Sequence, residues 1–297
     1  MKKTLLIIAV FLIAGSTAFS QLPFTRSISF EDYYRIEQLF GNFNPEVSFV
    51  VRPLYGDAFK GFGETFNFGN KLKSFGQSGL RIGNNTLEFK LLPLEIVQQF
   101  NSHHPEEFND GSMIPARGYQ SLISTGIFAG YGPLQIHLKP EFVYAENKDF
   151  GTFSEINTET FFYRPNDYMD YPERFGETVF NQFSWGQSSI RLTHFGLSLG
   201  ISNENLWWGP GQRNTLLMTN TAPGFKHISF NTVRPIKSAI GSFEGQIIAG
   251  RMESSGYSNL SNNWRYMNAI VLSYQPKWVP GLFLGMIRSF QVYHLNM

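Results

Sequence analysis

From Pro45 onward, apolar and polar positions alternate with period two in segments of about ten residues, separated by turn residues or by longer polar stretches. The clearest pair spans Leu122 to Glu146, turning at Gly132-Pro133. In its second strand Leu134, Ile136, Leu138, Phe142 and Tyr144 share one face, while Gln135, His137, Lys139, Glu141 and Ala145 share the other. A second hairpin is expected from Trp264 to Tyr293, with Pro276 to Gly281 as its connection. Between Ile190 and Ile201 the phase slips, which predicts a β-bulge near His194. Leu87 to Phe100 reads either as one strand kinked at Pro93 or as two elements, and Ser242 to Glu253 alternates less cleanly. Upstream, the spacing predicts a helix over Ser29 to Gly41: Ser29 caps toward Asp32, Tyr33, Ile36 and Phe40 share a face, and Gly41 stops it.

The fold class predicted is all-β, an antiparallel transmembrane barrel with a short N-terminal periplasmic helix. One apolar and one polar face per strand is the pattern of a wall with lipid outside and a polar lumen inside. Trp264, Tyr266, Tyr274, Trp278 and Tyr293 gather near strand ends, where interfacial girdles place aromatics. The polar stretches Asn101 to Gly118, Glu146 to Gln187 and Asn203 to Asn231 are long enough to be functional loops. Lys2 and Lys3, the apolar run Leu5 to Ala14, and small Ala18 and Ser20 before Gln21 read as a secretory signal peptide. No later stretch approaches the roughly 18 apolar residues that a membrane-spanning helix requires. The expected organisation is a signal peptide over 1–20, a periplasmic segment with the helix over 21–44, and a barrel over 45–297.

Composition narrows the function classes. Of 297 residues, 16% are charged and 16% aromatic, and the formal net charge is +1. There is no basic patch for nucleic acid, and the absence of cysteine excludes disulfides, thiolate zinc sites and thiol nucleophiles.

The densest unusual segment runs Glu204-Asn205-Leu206-Trp207-Trp208-Gly209-Pro210-Gly211-Gln212-Arg213-Asn214, followed by Asn220 to Phe225. Together with the exported N-terminus, the short helix and the stretch Asn109 to Gly118, this segment resembles the Wzi family of capsule assembly proteins. The resemblance implies a monomeric outer-membrane barrel of about eighteen strands, an even number as in bacterial barrels. It also implies a non-catalytic lectin that holds capsular polysaccharide at the cell surface, in contact with outer-membrane lipid and needing no cofactor. About ten to twelve strands fit in this chain at roughly ten residues each, so it reads as an N-terminal portion of such a barrel. A porin-like channel is the alternative that the polar lumen leaves open.

For polysaccharide, the candidates are Trp207, Trp208, Arg213, Asn214 and Asn220. Aromatic faces stack on sugar rings, and guanidinium and amide groups bond hydroxyls. The same residues could simply fold a loop onto the barrel. A second group is Tyr168, Asp170, Tyr171 and Arg174, which also reads as a solvated loop. His103 and His104 lack metal-ligand spacing, so no metal is expected. His194 with Ser188, Ser189 and Glu204 lacks a nucleophile elbow, and Gly61-Phe62-Gly63 reads as a turn.

Overall fold

The computed structural model describes residues 28–55, 80–82, 87–152, 170, 172–215, 217–258 and 264–296. The proposed signal peptide and Gly61 to Gly63 lie outside these residues. A helix, α1 (Ile28–Leu39), opens the described chain. It is followed by β1 (Val51–Arg52), β2 (Leu80–Ile82), β3 (Leu87–Asn101), β4 (Gly118–Tyr131), β5 (Leu134–Leu138), β6 (Glu141–Ala145), β7 (Phe180–Ser184) and β8 (Ser189–His194). Then come β9 (Leu197–Ser202), β10 (Trp207–Trp208), β11 (Lys226–Thr232), β12 (Ile236–Lys237), β13 (Gly241–Met252), β14 (Arg265–Pro276) and β15 (Leu284–Tyr293). No helix among the described residues is long and apolar enough to cross a membrane.

Thirteen strands form one antiparallel sheet, and β1 and β10 form a separate pair. Several neighbours are fragments of one pass. β5 and β6 both pair with β4 in continuous register, Leu138 opposite Ile127 and Glu141 opposite Ser124. The interruption falls at Pro140, which has no N–H to give the ladder. β7 and β8 follow along β6 and β5, and β11 and β12 along β13. The sheet is thus a simple up-and-down meander. It is open, with β2 at one edge and β15 at the other, so no closed barrel is formed by the described strands.

The ends of the meander differ. Residues 132–133, 195–196, 233–240 and 277–283 connect strands at one end, while 102–117, 146–179, 203–225 and 253–264 make long connections at the other. The slip near His194 is a two-residue hairpin and not a bulge. Phe195 and Gly196 both have positive φ, as the tight turn matching strand twist requires. β3 is a single strand of 15 residues whose register shifts between Leu92 and Glu95, around Pro93.

Burial is inverted relative to a water-soluble protein. Gln120, Gln135, His137, Glu141, Ser189, Arg191, Ser198, His227, Ser229, Asn231, Glu244 and Gln246 face inward and are buried. Their strand neighbours Ile123, Phe142, Ile190, Leu192, Leu199, Ile201, Ile228, Phe230, Ile247 and Leu272 face outward and are exposed. Hence the alternation read at Leu134 to Tyr144 extends from β3 to β14.

The concave side is filled from both ends. α1 packs through Tyr34, whose ring lies 5.2 Å from Phe43 in a cluster with Val47, Phe49 and Leu54. Ile36 and Phe40, read as sharing a face, are exposed. The side that docks carries Gln38, whose amide donates to the carbonyls of Asn44 and Val47. The chain then climbs the inner wall. Pro45 O accepts from Gln275, Glu46 pairs with Lys237 at 3.0 Å, and Ser48 N donates to Glu244 at 2.7 Å. At β1 it meets β10, Val51 opposite Trp208 and Arg52 opposite Trp207.

Candidate functional site

The chain leaves the wall where β9 ends, and Glu204 explains why it turns inward. Arg191 on β8 donates to Glu204 Oε2 at 2.7 Å and to Ser229 Oγ and Asn231 Oδ1 on β11 at 2.7 and 3.1 Å. Ser189 and Ser202 each donate to Glu204 at 3.0 Å, and His137 Nδ1 on β5 lies 3.5 Å from Glu204 Oε1. One carboxylate thereby ties the inward turn to three strands directly and, through Arg191, to a fourth. Burial alone would raise its pKa, but Arg191 and His137 outweigh that and hold it well below the usual carboxylate range. Next to it, Asn205 and Gln187 exchange hydrogen bonds at 2.9 and 2.7 Å.

Beyond this anchor the segment runs along the inward face of the sheet. Leu206 and Trp208 enter a core with Val50, Val51, Ile248, Met267, Ala269 and Val271. Trp208 is fully buried, and its indole N–H donates to Gln246 at 2.9 Å. Gly209, at φ +118°, makes the reversal, and its N–H donates to Val50 O at 2.8 Å. The tip reaches α1, where Arg35 donates to Pro210 O at 3.3 Å. Arg52 clamps the bend from beneath, donating to the carbonyls of Gly209 and Gly211 with its guanidinium 5.4 Å from the Trp207 ring.

The return limb is held by the 102–117 loop. Asn220 Nδ2 donates to Asn109 O at 2.8 Å, Gly111 N donates to Asn220 O at 2.7 Å, and Asn109 Nδ2 donates to Arg213 O at 2.8 Å. Gly224 then passes Asn203 so closely that a Cβ there would lie 1.9 Å from the Asn203 carbonyl oxygen.

These facts sort the candidates. Trp208 and Asn220 are buried and hold the plug together, leaving Trp208 no ring face for a ligand. Trp207 is half-buried, its indole N–H bonded to Gly211 O at 2.9 Å. Arg213 and Asn214 are exposed, and the Arg213 guanidinium makes no ion pair with any described residue. Tyr168 and Tyr171 lie outside the described residues. Asp170 accepts from Ser255 and Ser258, while Arg174 donates to Asp149 Oδ1 at 2.6 Å and Asn147 O at 3.1 Å. These two side chains pin the long loops.

His103 and His104 lie in the 102–117 loop, and no metal-competent group of ligands occurs among the described residues. His194 sits at the opposite end of β8 from Ser189, and the histidine beside Glu204 is His137. The Arg191–Glu204–His137 cluster was hidden in the sequence because its members are brought together only by sheet register. The one local signal was charge at inward positions of otherwise apolar strands.

The family model described as capsule assembly protein Wzi matches residues 96–292, well over half of the chain, from mid-β3 to the last residue but one of β15. No match was found among curated proteins or among solved structures.

Proposed function

Since this chain belongs to the Wzi capsule assembly family, we propose that it is a non-catalytic outer-membrane protein whose barrel binds capsular polysaccharide at the cell surface. A role in capsule assembly follows from the family; membrane placement and polysaccharide binding are our reading. The observation that carries the placement is the inverted burial. A continuous outward apolar surface of this extent needs lipid or a partner to cover it, and a polar interior with apolar exterior suits a barrel wall. We expect export through cleavage of residues 1–20, and function as a monomer.

For polysaccharide we favour Trp207, Arg213 and Asn214, with Trp208 and Asn220 shaping the loop that presents them. An exposed guanidinium and amide beside a half-buried indole can bond sugar hydroxyls and stack on a ring. Binding of polysaccharide purified from the source bacterium's capsule is expected to weaken about tenfold in Arg213→Ala and in Trp207→Ala, measured by calorimetry on detergent-solubilised protein. If both variants bind as wild type does, the assignment is wrong. The polar lumen also fits a channel, but β1, β10 and the 203–225 segment fill it, so planar-bilayer recordings should show no steady conductance.

A further inference from the structure

Among the described residues, the wall of the sheet contains a window. β6 and β7 extend toward the long-loop end, but β7 pairs only with β6 among the described strands. β9, which would flank it, stops at Ser202 opposite Ser189, and Asn203 crosses inward beneath the gap, bonded to Ser188 O at 2.8 Å and Gly186 O at 3.1 Å. On the far side β11 begins at Lys226, paired with Arg251. The top is strapped by the 253–258 loop: Ser255 and Ser258 donate to Asp170 at 2.5 to 2.6 Å, and Tyr257 lies 5.5 Å from Phe175 and 6.4 Å from Phe180.

The chemistry of the frame points to its occupant. Gln182 stands opposite buried Val143, on the inward face, yet is exposed. Asn181 on the same strand is exposed too, and Asn205, bonded to Ala222 O at 2.7 Å, lies at the foot of the gap. Beside them Trp185 is 59% exposed, its ring edge-on to Phe183 at 6.4 Å. A strand edge that no described strand pairs cannot face hydrocarbon without losing several kcal/mol per polar group, so acyl chains are a poor filling. Amides, backbone groups without a partner among the described strands and an exposed indole together suit an extended polyhydroxylated chain.

We propose that this window is a lateral glycan-binding slot, in which a stretch of polysaccharide lies along the edge of β7 that no described strand pairs and stacks on Trp185. The proposal rests on the polysaccharide-binding reading above and adds to it a second site. Because the chain has no cysteine, Gln182→Cys introduces a unique reporter. In detergent, its labelling by a membrane-impermeant maleimide is expected to slow markedly when purified capsular polysaccharide is added. Lys277→Cys, in the turn after β14 at the opposite end of the sheet, should label at an unchanged rate. Trp185→Ala is expected to lower affinity about tenfold while leaving the far-ultraviolet circular dichroism unchanged.

If wild-type protein binds the polysaccharide but Gln182→Cys labels equally fast at saturation, the slot is refuted and the functional reading stands. If wild-type protein fails to bind, both fall. Gln182→Cys that reacts in detergent but is shielded in lipid nanodiscs without polysaccharide would show that lipid fills the window, which also overturns the proposal.

Discussion

Removing one partner from a buried ion pair strands the other charge in a low-dielectric interior, at a cost of about 3–5 kcal/mol. Glu204 and Arg191 are such a pair, with side chains 1% and 3% exposed. Glu204→Gln is therefore expected to destabilise the protein by that amount in denaturant unfolding, and Arg191→Met combined with Glu204→Leu to recover much of the loss. The carboxyl is held below its unfolded value, so its contribution is present above about pH 4.3 and lost only as pH falls through its own lower value. Glu107 carries the opposite sign. Burial, and then the nearby Asp110 charge, push its carboxyl up to about 7. The 102–117 loop should consequently lose stability as pH rises from about 4.3 towards 7, seen as faster hydrogen exchange there after correction for intrinsic rates. A loop with pH-independent protection would contradict this. At this scale the sequence was half legible. Adjacent tryptophans mark a segment that splits its two sides between core and opening, but which indole would be buried depended on Gln246, 38 residues away.

Elements were more legible, because period-two alternation is a local property of a wall with unlike solvents on its two faces. The faces of β5 and β6 were readable even across the break at Pro140, since the register with β4 is continuous. The turn at Phe195-Gly196 was missed because a tight hairpin and a bulge both shift phase by a residue, and only positive φ at both turn residues separates them. Which face of α1 packs was not legible, for a different reason. Its exposed Ile36 and Phe40 follow helical spacing, but packing is decided by Tyr34 meeting Phe43 and by Gln38 capping the following chain. The inward course of 203–225 could not be read at all. It depends on a crossing where Gly224 passes Asn203 with no room for a side chain, so Gly224→Ala should cost about 1–3 kcal/mol. The expected readout is faster proteolysis within 203–225 with the rest of the sheet retained; unchanged cleavage would mean that the crossing has slack.

At the scale of the whole molecule, the two ends are chemically distinct, and for the proposed outer-membrane placement this predicts an orientation. Tyr266 and Tyr274 face outward on β14 eight residues apart, roughly 27 Å along the strand at 3.4 Å per residue. Strand tilt shortens that to about the 25 Å apolar band of an outer-membrane barrel. Beyond Tyr274 lie the short turns with Trp278, and beyond Tyr266 lie Trp264 and the long loops. Outer-membrane barrels keep short turns in the periplasm and long loops outside. The helix α1 and the tip at Pro210 would then approach from the periplasm, and the strap at Asp170 would face the capsule. Single cysteines test this directly in intact cells. Lys148→Cys should react with an impermeant maleimide at once, whereas Lys277→Cys, in the turn after β14, should react only after the outer membrane is permeabilised. Equal labelling of both would mean that the sheet does not span the membrane, and the outward apolar face would then have to be covered by protein. The reverse order would place the plug's tip at Pro210, and with it the flanking Trp207, Arg213 and Asn214, towards the cell surface.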